Sequence, residues 1–245
     1  MAAKAPVDSL PVNEWRVFLP FRDNDVVSMF TRRGASIVGA PAMANIVVFT
    51  GGADICPLLY GELPIPGTNM NLTRDREEVR LFKALHPDMP KIGICRGAQL
   101  LNVMCGGSLW QDVDNHAKGT THHVYDSWYG IADLHVTSTH HQMMRPKRSI
   151  AYEFLSARMS TLKKNQEGKE YNENAPNEEY YEDPEGVYYS NFNSVCFQPH
   201  PEYGHKQTED YFFNICTDII DWSWWRQRET AKASGKLKTV KEVAA

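Results

Sequence analysis

The chain has 245 residues, 42% of them hydrophobic, which suits one domain with a large buried core and excludes a wholly disordered protein. Its 26 basic and 30 acidic residues give a net charge of −4, so no basic field is present to hold a nucleic acid. We therefore expect a single domain over residues 1–245 that does not bind DNA or RNA.

The amino-terminal residues 1–11 lack the charged and apolar layout of a signal peptide, and no apolar run approaches the roughly 20 residues that span a bilayer. Five scattered cysteines, an odd number without a C-x-x-C pair, indicate free thiols in a reducing compartment. We expect a cytoplasmic protein that does not bind a membrane.

Short apolar runs alternate with amphipathic stretches of helical length through the first half of the chain. The pattern predicts strands at 16–20, 45–49 and 91–94 and helices at 25–33, 74–85 and 97–104. Alternating strands and helices predict parallel strands joined by crossover helices, and hence an α/β sheet that is covered on both faces.

The second half of the chain has fewer helices between its apolar runs. Strands are predicted at 134–138, 151–156, 186–190 and 194–198, which favours an antiparallel extension of the sheet. Apolar residues at helical spacing predict a last helix at 208–228. Trp224 and Trp225 near its end either complete the core or form an interface, and the tail from residue 230 is expected to fray.

Residues 163–184 are polar, rich in Glu, Asn and Tyr, and without apolar periodicity. This composition predicts a solvated loop or flexible insertion. The alternative is a lid or a surface that docks a partner, because tyrosine rings bind well on a polar backbone.

The most informative segment is Gly-Ile-Cys-Arg-Gly at 93–97, where an apolar strand runs into Cys95 and a helical sequence leaves it. This spacing is typical of a nucleophile elbow, in which glycines are needed where side chains would collide. The helix start places partial positive charge beside the sulfur and favours the thiolate. The alternative is an ordinary buried cysteine between a strand and a helix.

A thiolate that attacks a carbonyl needs a base and an oxyanion hole. His200 and Glu202 lie two residues apart on a segment that Pro201 biases toward an extended backbone, so the carboxylate can orient the imidazole. Gly52, in a glycine pair after an apolar strand, and Arg96, after Cys95, are the candidate backbone N–H donors.

Together these residues resemble the class I glutamine amidotransferase superfamily and, within it, the gamma-glutamyl-gamma-aminobutyrate hydrolase family. The resemblance rests on the segments 51–62, 93–103, 106–112, Ser-Thr-His-His-Gln at 138–142 and Gln-Pro-His-Pro-Glu at 198–202. It implies a flavodoxin-like α/β fold with a mostly parallel central sheet, helices on both faces and a small antiparallel extension.

The resemblance also implies the roles of individual residues. Cys95 would be the nucleophile, His200 the general base and acid, and Glu202 the residue that orients His200. The backbone amides of Gly52 and Arg96 would form the oxyanion hole.

Further residues match the family near the glutamyl group of the substrate. They are Gln99, His141 and Gln142. Asp75, at a helix start in the matching Arg74-Asp75 pair, is expected to do no more than stabilise the helix dipole. Pro199 stands where the family usually has an aromatic residue, so the leaving amine stays undetermined.

Six histidines invite a metal-binding interpretation: His116, His122, His123, His135, His140 and His141. Their spacing matches neither a helical H-x-x-x-H pair nor a compact zinc motif, so we expect no metal site. Some of them are candidates to line the mouth of the pocket. The implied chemistry needs neither a metal nor an organic cofactor.

Three functions follow. The first is a hydrolase that cleaves the gamma-glutamyl amide bond of glutamine or a gamma-glutamyl amine through a gamma-glutamyl thioester. The second is a glutaminase subunit that delivers ammonia to a separate synthase, and a homodimer is the other candidate assembly. The third, favoured least, is a non-catalytic binding protein on a hydrolase fold.

Overall fold

The structure is a computed structural model that describes residues 10–117, 119–165, 171–172 and 182–233. The α-helices in these ranges are α1 Asn24–Arg32, α2 Leu72–Ala84, α3 Arg96–Met104 and α4 Lys206–Ala233. The strands are β1 Arg16–Phe18, β2 Ser36–Ile37, β3 Ile46–Phe49, β4 Lys91–Ile94, β5 Ser108–Trp110, β6 Asp112–Val113, β7 Thr120–Asp126, β8 Leu134–Ser138, β9 Met143–Arg145, β10 Tyr152–Ala157, β11 Leu162–Lys164, β12 Tyr171–Asn172, β13 Asp183–Tyr189 and β14 Ser194–Phe197.

Nine of the described strands form one sheet in the order β2-β1-β3-β4-β14-β13-β10-β7-β8. The neighbours from β2 to β14 pair in parallel, and those from β14 to β8 pair antiparallel. The prediction of a parallel α/β sheet with an antiparallel extension is confirmed, and the extension contributes four of these nine strands.

The sheet separates two apolar cores, as the alternation of side chains along β3 illustrates. Ile46 and Val48 belong to a core shared with α1 and α4, whereas Val47 and Phe49 belong to one shared with α2 and α3. All four side chains are fully buried. A strand that is apolar on both sides needs cover on both sides, and the helices supply it as predicted.

The largest differences between the predicted and the observed element boundaries are in β13 and α4. The strand predicted at 186–190 begins at residue 183 in β13, so the carboxylates of Asp183 and Glu185 lie on a buried strand. The helix predicted to end at residue 228 continues to Ala233 in α4. Although α4 is 28 residues long, neither it nor another helix of the described residues is apolar enough over a sufficient length to cross a membrane.

The predicted insertion at 163–184 falls largely on 166–170 and 173–181, which lie outside the described residues, as does the tail from residue 234. Its described ends form strands, because β11 pairs antiparallel with both β12 and β6. The side chains of Trp224 and Trp225, a candidate interface in the sequence, also lie outside the described part of the structure.

Candidate active site

Cys95 occupies a strained turn between β4 and α3, with φ 50° and ψ −109°. A residue other than glycine rarely adopts a positive φ, and such strain is typical of functional sites. A Cβ atom on Gly97 would collide with the carbonyl oxygen of Phe49, and one on Gly93 would collide with the carbonyl group of Gly97. The elbow predicted from the two glycines is present.

The amino terminus of α3 lies directly at this turn. Arg96 is the first residue of the helix, and Gln99 N–H donates to the Cys95 carbonyl at 3.1 Å. The first amides of a helix have no acceptor within the helix and carry partial positive charge. Negative charge on the Cys95 sulfur, or on an oxygen bound beside it, is therefore stabilised here.

His200 is held in place through its backbone and its ring. Its N–H donates to Thr137 Oγ1 at 2.8 Å, and the Thr137 hydroxyl donates back to the His200 carbonyl at 3.0 Å. The imidazole stacks on the ring of Tyr203, with centroids 4.2 Å apart, and its Nδ1 lies 2.6 Å from Glu202 Oε1. The pairing of His200 with Glu202, predicted from their spacing, is confirmed.

The Cys95 side chain lies close enough to the His200 imidazole to raise the pKa of that ring. Burial lowers the pKa of His200, but the charge and hydrogen bond of Cys95, together with Glu202, outweigh burial and raise this pKa to about 10. The imidazole is therefore protonated at neutral pH and can act as an acid, with a carboxylate on one side and a sulfur on the other.

Replacing Cys95 with alanine is expected to lower the pKa of His200, because Cys95 is the strongest influence that raises it. The NMR signal of the His200 ring, followed against pH, measures this change. Wild-type protein should titrate near pH 10 and Cys95→Ala well below it, whereas Cys56→Ala should behave as wild type. The same pKa in Cys95→Ala and wild type would contradict the pairing.

The glycine turn after β3 lies against the His200 ring. A Cβ atom on Gly51 would come within 3.0 Å of His200 Cε1. Arg74 forms hydrogen bonds to this turn from the other side. Its Nη1 donates to the Gly51 carbonyl at 2.8 Å, and its Nη2 donates to the Thr50 carbonyl at 2.9 Å. In a planar trans peptide the C=O and N–H point in opposite directions, so the Gly52 N–H points away from Arg74.

A buried ion-pair network supports this turn. Arg96 contacts the carboxylates of Asp75 and Glu78, and Arg74 Nε lies 3.1 Å from Glu78 Oε1. Asp75 Oδ2 also accepts from Cys56 N–H at 3.1 Å. The expectation that Asp75 serves only the helix dipole was wrong, since its side chain is buried and paired with Arg96. Only the (i, i+4) spacing of Arg74 and Glu78 signalled this network.

Two of the residues expected near the substrate contact each other. Gln99 Nε2 donates to the Gln142 carbonyl at 2.9 Å and to Gln198 Oε1 at 3.3 Å. All three glutamine side chains are buried, and Nε2 of Gln142 and of Gln198 has no hydrogen-bond partner among the described residues.

His141 lies at the partly exposed edge of the same loop. Its Nε2 is 2.9 Å from Asp54 Oδ1, and 43% of its side chain is exposed. The hydrogen bond to Asp54 raises the pKa of His141. The structure thus places a histidine–carboxylate pair at the exposed edge of this loop, apart from the buried glutamines.

The histidines are more organised than their spacing predicts. His116, His122 and His140 come from three separate segments and converge on the Glu185 carboxylate. Spacing along the sequence gave no signal of this cluster, because strand pairing across the antiparallel half of the sheet assembles it.

Comparison with known proteins agrees with this architecture. The family model described as Peptidase C26 matches residues 31–162. A provisionally named glutamine amidotransferase-like protein, the YvdE homolog of Lactococcus lactis subsp. cremoris, is 39% identical over 123 residues, which are 42% of this chain and 65% of the relative. A provisionally named glutamine amidotransferase of Mycobacterium tuberculosis is 37% identical over 96 residues, 38% of this chain and 31% of the relative.

These alignments cover less than two thirds of either relative. Among solved structures, a provisionally named GMP synthase component from Thermoplasma acidophilum superposes with a TM-score of 0.58 at 14% identity. That match covers 89% of this chain and 98% of the other. At this level of identity the likeness concerns the fold alone.

Proposed function

The chain belongs to the Peptidase C26 family, within the class I glutamine amidotransferase superfamily, and from this we infer that it is a cysteine-dependent amide hydrolase. We assign it cleavage of the gamma-glutamyl amide bond of glutamine or of a gamma-glutamyl amine. The observation that supports this most strongly is the strained elbow at Cys95, beside which His200 is paired with Glu202 and has its pKa raised by Cys95.

The reaction proceeds in two halves. The Cys95 sulfur attacks the amide carbonyl, a C–S bond forms, and the negative charge that develops on the oxygen is stabilised by the N–H groups of Gly52 and Arg96. His200 then gives its proton to the amine, the C–N bond breaks, and a gamma-glutamyl thioester remains. His200 next takes a proton from water, which attacks the thioester and releases glutamate and the thiolate.

The substrate class is tested with a panel of gamma-glutamyl amines and glutamine, from which glutamate release is measured. Wild-type protein should release glutamate from at least one member, and Cys95→Ala should not. The panel also identifies the leaving amine, because activity should concentrate on amines that fit beyond the scissile bond. Absence of any Cys95-dependent release would contradict the proposal.

A second candidate is a glutaminase that passes ammonia to a separate synthase. The name of the Mycobacterium tuberculosis relative, a glutamine amidotransferase, favours this candidate. If it is correct, the isolated chain should act on glutamine alone and gain activity when its partner is added. Full activity of the isolated chain on a gamma-glutamyl amine would exclude it.

Alkylation tests whether the site is catalytic or a binding site on a hydrolase fold. Cys95 is expected to react with iodoacetamide at neutral pH at least about tenfold faster than Cys56, because a neighbouring imidazolium favours its thiolate. The two residues are 7% and 5% exposed, so burial does not separate them. Burial raises the pKa of Cys105 to about 12, so that thiol should stay unmodified. Equal rates at Cys95 and Cys56 would favour the binding protein.

A further inference from the structure

A second group of titratable side chains lies near the active site but takes no part in the proposed reaction. His116 Nδ1, His122 Nε2 and His140 Nε2 lie 3.2, 3.4 and 3.5 Å from one oxygen, Oε1 of Glu185. Glu185 and His116 are completely buried, and His122 and His140 are nearly so. The cluster is therefore shut off from solvent.

Most of the atoms that face one another in this cluster have no hydrogen-bond partner. Among the described residues this holds for both oxygens of Glu185, both nitrogens of His122 and Nε2 of His140. Buried polar atoms in native proteins are nearly always paired, because an unpaired one loses its hydration without compensation. Five such atoms in one place form a set of donors that a bound cation would pair.

The outward hydrogen bonds of two of the histidines fix where their protons lie. His116 Nε2 is 3.0 Å from Asp183 Oδ2, and His140 Nδ1 is 2.9 Å from the Gln142 carbonyl. A carboxylate and a carbonyl only accept, so these outward nitrogens carry the hydrogens. The inward nitrogens, His116 Nδ1 and His140 Nε2, face Glu185 and are the atoms that a cation would contact.

An imidazole nitrogen faces a carboxylate oxygen with either a proton or a metal cation between them. Histidines that bind a metal have this arrangement, in which the second ring nitrogen donates to a carboxylate or a backbone carbonyl.

The spacing of the donor atoms agrees with a tetrahedral metal. Bonds of about 2.0 to 2.1 Å place tetrahedral ligand atoms about 3.3 Å apart, close to the separations around Glu185 Oε1. The donor atoms of His116, His122 and Glu185 all lie within 4.8 Å of one another. We propose that these three side chains bind a divalent metal ion of the zinc type, with His140 Nε2 beside the site, 3.5 Å from Glu185 Oε1.

The chemistry of the donors and their burial define the kind of site. Imidazole nitrogens favour zinc and similar transition metals over magnesium and calcium, which prefer oxygen donors. Three protein ligands that are buried and closed to solvent suit a structural metal, because a catalytic metal keeps an open position that water or substrate can reach. The ion joins β13, β7 and the segment before β7, and His140 lies beside it at the start of the loop that carries His141 and Gln142.

Zinc content tests this proposal directly. The full chain is expressed with added zinc, purified without chelators, freed of loosely bound metal and analysed by elemental mass spectrometry. We expect about one zinc ion per chain and a lower melting temperature after treatment with a strong chelator. Glu185→Gln and His122→Gln should each retain at least about tenfold less zinc than wild type. His123→Gln, the next position on β7, should retain the full amount.

Wild-type measurements decide the case even if a ligand variant fails to fold. Cobalt added to the metal-free chain should produce the visible absorption of a tetrahedral site, and zinc should abolish it. The proposal is overturned if folded wild-type protein holds less than about a tenth of a zinc ion per chain and its melting temperature responds to neither chelator nor zinc. The cluster would then be a proton-sharing network. Cys95→Ala should bind zinc as wild type does, so this result is independent of the proposed hydrolysis.

Discussion

Cys95→Ala is expected to lower kcat for gamma-glutamyl amide hydrolysis on the order of 10⁴- to 10⁶-fold without loss of the fold. The proposed reaction has no route to the thioester without the sulfur, and only binding and the oxyanion hole remain to assist water. Alanine has a Cβ atom as cysteine does, so it adds no strain at φ 50°. Steady-state kinetics measure the loss, and circular dichroism with thermal melting confirms folding.

Glu202→Gln provides a graded comparison for this prediction. Glutamine keeps the size of the side chain but removes the charge beside His200 Nδ1, so turnover should fall by less than in Cys95→Ala and stay measurable. In a plot of kcat/KM against pH, the alkaline limb of Glu202→Gln should also lie at lower pH than that of wild type. The reason is that Glu202 helps to raise the pKa of His200 to about 10. Turnover in Cys95→Ala equal to that of wild type would contradict the assignment of the nucleophile.

Arg74→Met is expected to lower kcat by roughly 10²- to 10³-fold, the usual cost of losing one oxyanion donor. Arg74 touches no reacting atom and acts as a positioning residue, since its guanidinium holds the Thr50 and Gly51 carbonyls. Without those bonds the Gly51–Gly52 peptide is free to rotate, and the Gly52 N–H no longer has a fixed direction. The loss should appear in kcat with little change in KM, because the donor acts on the transition state.

Two comparisons separate positioning from general destabilisation. Arg76→Met removes an exposed arginine of the same helix and should leave kcat unchanged. Arg74→Lys keeps the charge, but its single ammonium group cannot reproduce the planar fork and should give an intermediate kcat. A normal kcat in folded Arg74→Met would contradict this role.

The elbow could be predicted from the sequence because its causes are local. Gly93 and Gly97 are required by contacts within a few residues and with one neighbouring strand, and they mark the turn wherever it occurs. For the same reason β4 at Lys91–Ile94 and β8 at Leu134–Ser138 have the predicted bounds. Short apolar runs between turns leave little freedom in their placement.

The burial of the carboxylates in β13 could not be predicted from local sequence patterns. Asp183 and Glu185 look like the end of a polar insertion, yet both side chains are completely buried. Their partners are remote in sequence, since Lys163 Nζ lies 2.7 Å from Asp183 Oδ1 and His116 Nδ1 3.2 Å from Glu185 Oε1. Burial of a charge depends on such partners, which a single sequence does not reveal.

The hydrogen bonds from Arg74 to the glycine turn could not be predicted from the sequence, for a related reason. Its pairing with Glu78 follows from helical spacing, but its other acceptors are backbone carbonyls 23 and 24 residues earlier. Every residue has a carbonyl, so composition carries no information about which one is used. The turn after β3 could be located by its glycines, whereas the side chain that orients it could not.

The covalent intermediate is the most direct test of the central claim, that the Cys95 sulfur becomes acylated. Protein in steady-state turnover of a gamma-glutamyl substrate is quenched in acid, digested and analysed by mass spectrometry. We predict a gamma-glutamyl group on the peptide that contains Cys95, increased in Glu202→Gln if hydrolysis of the thioester is slowed. Turnover without this adduct, or with the adduct on a different residue, would contradict the mechanism.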